Sequence, residues 1–331
     1  MSSDIGNFVK WIRANSLTPI MSVFEDDLEL LTHLDLSKRN IKDLPESIGV
    51  LKNLSVLKLS NNKLRKLPKA IGELKNLRNL QCENNLIEEL PSTIGNLSNL
   101  MILNLNVNRL KKLPKEFYNL KSLTRLTLAA NRIEYLDEEF KNLSKLLYLS
   151  LETNELEDLP DVFGKMQQLY YLDLSFNHLT MLPKSLSEIK ELQTLILEGN
   201  NLRELPSLES HDMLIKLDLS QNSLKSLDFD LSKLEDLKIL LLDNNLLISL
   251  PSKICELSKL THLSVSSNYL ESLPDFIGEI VTLQELDVED NELDTLPDSI
   301  VKLKSLKNLF IANNNGLKKP AIASLEFCDI K

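Results

Sequence analysis

The sequence predicts an α/β solenoid: a right-handed coil with a parallel sheet on its concave face and short helices or 3₁₀ turns on its convex face. Two observations carry that prediction. Leucine accounts for 76 of 331 residues, while aromatics are 5% and there are only 8 Gly and 1 Trp. A core drawn so largely from one side chain implies one packing unit used many times. The leucines also recur with a period of 23, in units beginning at Leu31, Leu54, Leu77 and so on to Leu283 and Leu306. Length alone suggests two domains of about 150 residues. A period of this size points instead to a single stack.

Residues 1–30 read as an N-terminal helical cap. Ile5, Phe8, Val9 and Ile12 fall at i, i+3, i+4 and i+7, the stripe of an amphipathic helix, with Trp11 beside them. Pro19 ends that helix, and Phe24, Leu28 and Leu30 lead into the first strand. Residues 31–316 are the solenoid, twelve full units plus a partial thirteenth, and 317–331 form a C-terminal cap in which Ile322, Leu325, Phe327 and Ile330 cover the last coil. Caps are needed because one unit cannot bury its own apolar edge; only a neighbour can.

Each position of the unit has a physical task. The second unit has the complete set: Leu54, Leu57, Leu59, Asn62, Leu64, Leu67, Pro68, Ile71, Gly72 and Leu74. Its L-x-L core alternates with period 2, which specifies a short strand with leucines inward. Asn fills the ninth place in twelve of thirteen units. Its amide offers donors and an acceptor to backbone groups where the chain leaves the strand, so the stacked amides form a polar ladder. Pro follows the fifth Leu in ten units and turns the chain to the outer side without needing a donor. The I-G-x-L segment after it has helical spacing.

Some units depart from the pattern. Arg39 stands at the Asn place of the first unit, and Asp137 and Asp228 replace Pro. Cys82 replaces an inward Leu and reads as a buried, inert thiol. The eighth unit, Leu192 to Met213, is one residue short, which alters its convex turn.

The unit, as in Leu67-Pro-Lys-Ala-Ile71-Gly-Glu-Leu74, resembles the leucine-rich repeat over residues 31 to about 317. It is most similar to the 23-residue intracellular subtype of Ras-suppressor and Scribble-like scaffolds, plant Ras-group proteins and many bacterial repeat proteins. The resemblance implies a binding module that meets other proteins on its concave face. That family shares scaffold residues while its contact residues vary, so no site residue carries over.

The third, fifth and seventh places of each unit point outward on the strand face and are free of scaffold duty. Across those 39 places stand ten Asp/Glu and three Lys/Arg, which puts −7 of the chain's −10 on one surface. A single-signed field steers a partner of opposite sign. Tyr148 and Tyr171 are neighbours in one column, flanked by Leu147 and Tyr170, with Phe176 at the rim. Exposed Tyr residues are frequent interface anchors. The candidate partner-binding residues are therefore these five together with Arg125, Glu152, Asp173, Ile196, Glu198, Asp218, Leu241 and Asp243.

Other functions find little support. The sequence has no P-loop, no H-E-x-x-H and no G-x-S-x-G, and His33, His178, His211 and His262 are scattered. The expectation is a non-enzyme with no catalytic residue, cofactor or metal. A pI near 5.1 disfavours nucleic acid. The absence of a signal peptide or a long apolar run, with three widely spaced Cys, points to a cytoplasmic, membrane-free monomer. The leading reading is a signalling scaffold or adaptor for a basic protein. The alternatives are a bacterial secreted or host-directed repeat protein and a receptor for a glycan or small ligand.

Overall fold

Alternation over L-x-L permits only a short strand before Asn turns the chain, and every strand in the computed structural model is three residues long. The structure describes residues 3–15 and 28–329. They fall into two compact units, Met1–Glu155 and Leu156–Lys331. The sequence predicts one stack. In a quasi-one-dimensional array each coil touches only its neighbours, so few contacts cross any given plane.

The first unit holds α1 (Ser3–Ala14) and strands β1 (His33–Asp35), β2 (Val56–Lys58), β3 (Asn79–Gln81), β4 (Ile102–Asn104), β5 (Arg125–Thr127) and β6 (Tyr148–Ser150). They pair in parallel and in chain order, each residue opposite its equivalent one unit on, as in Arg125 with Tyr148. The second unit holds β7 (Tyr171–Asp173), β8 (Thr194–Ile196), β9 (Lys216–Asp218), β10 (Ile239–Leu241), β11 (His262–Ser264), β12 (Glu285–Asp287), β13 (Asn308–Phe310) and β14 (Phe327–Asp329), paired in the same way. The central Leu of every strand from β1 to β13 is buried.

The stripe of α1 is buried at Ile5, Phe8, Val9 and Ile12. Trp11 stacks on Phe8 with ring centroids 5.8 Å apart, and its indole N–H donates to the Asp43 carbonyl at 3.2 Å. Of the residues leading into the first strand, Leu28 is buried and Leu30 is 66% exposed. Pro19 and Phe24 lie outside the described residues.

At the other end the sequence expectation needs correction. Phe327 does not cover the last coil; it lies in a fourteenth strand and is 49% exposed. Alternation explains this, because Cys328 takes the inner place and Phe327 and Asp329 share the outer face. Ile322 is buried and Leu325 half-buried, while Ile330 lies outside the described residues.

The Asn ladder is present in both units. Asn131 donates to the carbonyls of Leu105 (3.0 Å) and Leu128 (2.9 Å) and accepts from Leu110 N–H (3.1 Å). One amide thus ties its own coil to the one before. Asn222 follows the short eighth unit and reaches back 25 residues instead of 26, to Leu197 O at 2.9 Å. The missing residue is taken up behind the ladder, where the usual 3₁₀ turn is lost and His211 is wholly buried.

The residue before each ladder Asn is left-handed throughout, from Asn61 (φ +60°) to Asn313 (φ +53°). Asn and Gly adopt that conformation easily; Val107 (φ +54°) and Phe176 (φ +52°) do not.

The convex side of the first unit stacks Pro-led 3₁₀ turns. Gly95 is required there, since a Cβ would lie 2.0 Å from the Glu116 carbonyl oxygen. Asp137, in place of Pro, has an N–H to satisfy, and the hydroxyl of buried Tyr118 accepts it at 3.3 Å.

Candidate sheet-face binding surface

The strand face is the part of each coil that the scaffold leaves variable, and each unit presents its own. In the first, the guanidinium carbon of Arg125 lies 3.7 Å above the centre of the Tyr148 ring. The parallel register places these two opposite each other, and a cation over a π face is attractive. Leu147, Tyr148 and Glu152 are half-buried.

In the second unit Tyr170 is 39% and Phe176 43% exposed. The Phe176 ring rests on Gly199, where any Cβ would come within 2.5 Å of it. Ile196 and Leu241 are half-buried at fifth places of their coils. Burial, then the nearby Asp218 charge, pushes the Glu198 carboxyl above its ordinary range, and Gln221 donates to it at 2.6 Å.

Two expected contact residues prove to be occupied. Asp173 and Asp218 are only 6% and 5% exposed. Asp173 Oδ1 accepts from the N–H (3.0 Å) and hydroxyl (2.6 Å) of Ser175, and the Tyr171 hydroxyl donates to its Oδ2 at 3.4 Å. Asp218 accepts from Ser220 N–H at 3.3 Å and pairs with Lys216 at 3.4 Å. The same turn recurs at Asp35, Asn104 and Asp287, each accepting an N–H two residues on. Fifth-place acids therefore close the strand end by local side-chain-to-backbone bonding. Asp243 does related work across coils, accepting from Ser266 N–H and hydroxyl at 2.8 Å and from the Ser264 hydroxyl.

The sequence reading missed a surface at the end of the second unit. Phe310 and Phe327 place their ring centroids 5.4 Å apart on the sheet face. β14 pairs with β13 but starts 19 residues after it, so a search at a fixed period of 23 passes over it. Beside these rings Asp287 has its carboxyl pushed up to about 6, first by burial and then by Glu289, Asp243 and Glu285.

Among the described residues no group of three or more His, Cys, Asp or Glu is arranged to hold a metal ion. His33 and His262 each bond the hydroxyl of the preceding Thr. Cys82 is buried, which pushes its thiol far up. No helix among the described residues is long and apolar enough to cross a membrane.

Residues 24–105 and 54–160 match a leucine-rich repeat region, and 160–202 and 258–315 match the leucine rich repeat. A leucine-rich repeat protein of Leptospira interrogans is 33% identical with a TM-score of 0.77, over 88% of this chain and 86% of that one. The functional domain of InlJ from Listeria monocytogenes is 26% identical (TM-score 0.76), over 92% of this chain and 63% of that one. The plant peptide hormone receptor RGFR1, in complex with RGF2, is also 26% identical (TM-score 0.70), over 87% of this chain and 52% of that one. The chain thus spans less than two thirds of the last two. Among curated proteins, none matches the sequence. The chain belongs to the leucine-rich repeat family. Proteins of this fold generally mediate protein–protein interaction and are typically non-enzymatic.

Proposed function

We propose that this chain is a protein-binding module or adaptor that takes a basic partner on its strand face. One observation carries the reading: from β7 to β13, in the second unit, the outward places hold seven Asp/Glu against a single Lys, Lys216. Tyr170, Tyr171 and Phe176 there, and Tyr148 with Arg125 in the first unit, are the aromatic contacts. Such anchors supply affinity, while surrounding charge supplies on-rate and register. The plant receptor's complex with RGF2 supports a peptide or protein as the kind of ligand. Three free cysteines suit a reducing, cytoplasmic setting.

Affinity capture with mass spectrometry, followed by binding kinetics on the captured partner, tests the proposal. Tyr171→Ala should weaken binding at least about fivefold without lowering the melting temperature. Lys121→Glu, on the opposite side of the coil, should leave it unchanged. The reverse pattern would remove the strand face from consideration. The Leptospira and Listeria relatives favour a second reading, a bacterial host-directed protein using the same face. Detection of the chain in culture supernatant of intact cells separates the two.

A further inference from the structure

We propose that the β13–β14 end of the second unit's sheet docks an arginine-bearing segment of a partner protein, its guanidinium stacked on Phe310 and Phe327 and paired with Asp287 and Asp329. The inference rests on the protein-binding reading above and names where, and by what chemistry, one contact is made. Phe310 stands between Asp287 and Asp329 in the same column, in adjacent strands spaced about 4.8 Å. Phe327 is 49% exposed, and its ring is 5.4 Å from that of Phe310. An aromatic pair, one ring exposed and the other half-buried, bordered by carboxylates suits a side chain that is flat, cationic and forked. Arginine has all three properties, and lysine only the charge.

The same chain offers an internal precedent. In the first unit Arg125 already lies 3.7 Å over Tyr148 on the strand face. From β10 to β13, and at Phe327 and Asp329 of β14, the outward places hold no Lys or Arg of the chain's own. Lys307, one place off that face, pairs with Glu326 at 3.2 Å. Charge also opposes a second copy docked by this same end, since it would bring the same carboxylates against these. Glu289 is already pushed up by burial and by Asp329 and Asp290, so this end is crowded with negative charge that a cation would relieve.

The test uses the full chain and a rhodamine-labelled peptide, Gly-Ser-Arg-Ala-Arg-Ser-Gly, with its lysine and citrulline counterparts, read by fluorescence anisotropy. The arginine peptide should bind at least about threefold more tightly than the lysine peptide, and the citrulline peptide should not bind. Phe327→Leu keeps apolar cover on β14 but removes the ring; it should retain the wild-type melting curve and abolish the arginine preference. Asp287→Asn with Asp329→Asn should weaken both cationic peptides at least about fivefold. Equal binding by wild type and Phe327→Leu, or no arginine preference in wild type, overturns the inference. A captured partner that is lost with Tyr171→Ala but indifferent to Phe327→Leu also overturns it, and leaves the adaptor reading standing.

Discussion

The two units share one repeat and differ in what they display. On the outward places the first unit has three Asp/Glu and two Lys/Arg, and the second, from β7 to β13, seven and one. The contrast extends to the whole units: 22 Lys/Arg against 19 Asp/Glu in the first, 16 against 29 in the second. A net charge of −10 thus hides a slightly basic half and a strongly acidic one. Charge averaged over a repeat protein describes neither half, because long-range steering is set by the local field within about 8–10 Å at physiological salt.

The largest effect should come from the backs of the units. Gly95→Ala drives a Cβ to 2.0 Å from a backbone oxygen in the first unit, whereas Gly164→Ala in the second meets the Glu188 carboxylate, the movable end of a side chain. Urea denaturation should show a loss of about 3 kcal/mol for the first and under about 1 kcal/mol for the second. Gly278, also in the second unit, is as tight as Gly95, with a Cβ 1.9 Å from the Ser299 carbonyl oxygen, so the contrast is between sites, and equal losses at Gly95 and Gly164 would erase it.

Next comes the ladder. Asn154→Ala leaves Ile133 N–H and the carbonyls of Leu128 and Leu151 without their amide partner. We expect a loss of about 1–3 kcal/mol. Asn245→Ala, in the second unit, should cost as much, since its bonds match to within 0.1 Å. A large difference would mean that the scaffold, and not only the display, differs between the units.

Association kinetics come third. Glu198→Lys with Glu289→Lys, in the acidic unit, should slow capture of a basic partner about tenfold at low salt and flatten its salt dependence. Glu83→Lys with Glu152→Lys, in the other unit, should slow it less than about threefold. Equal slowing would show that the partner senses both faces alike.

A smaller effect concerns pH. The folded carboxyl of Asp287 lies near 6, above its ordinary 3.8. The proton is therefore held more tightly in the folded state. Stability from this group is fully present below about pH 4 and is lost as pH rises through about 6. After allowance for solvent screening the loss is about 1 kcal/mol. Asp287→Asn should raise the neutral-pH denaturation midpoint and flatten its pH dependence between about 4 and 6.

The repeat was legible because its signal recurs thirteen times and each place has one chemical requirement. The strands, the Asn ladder and the Pro-led turns follow from alternation, amide chemistry and a fixed φ. The left-handed residue before each Asn was not legible, because backbone handedness leaves only a weak preference for Asn and Gly that Val107 and Phe176 ignore. The face was legible as a list of outward places, but not in how its acids are used. Asp35, Asp173 and Asp218 share column and charge, and each accepts the N–H of a Ser two places on, yet Asp35 is exposed and the other two are buried. β14 escaped because its spacing breaks the period.

Asn222 holds its coil although the arc behind it is one residue short. The tie closes over an arc of 25 residues as it does over one of 26. A codon lost from the arc therefore leaves the display side in register, and a coil duplicated by unequal crossing-over would carry its own tie to its neighbours. The back can drift in length while the front is selected side chain by side chain. Such a molecule can acquire a new partner without first solving a new folding problem.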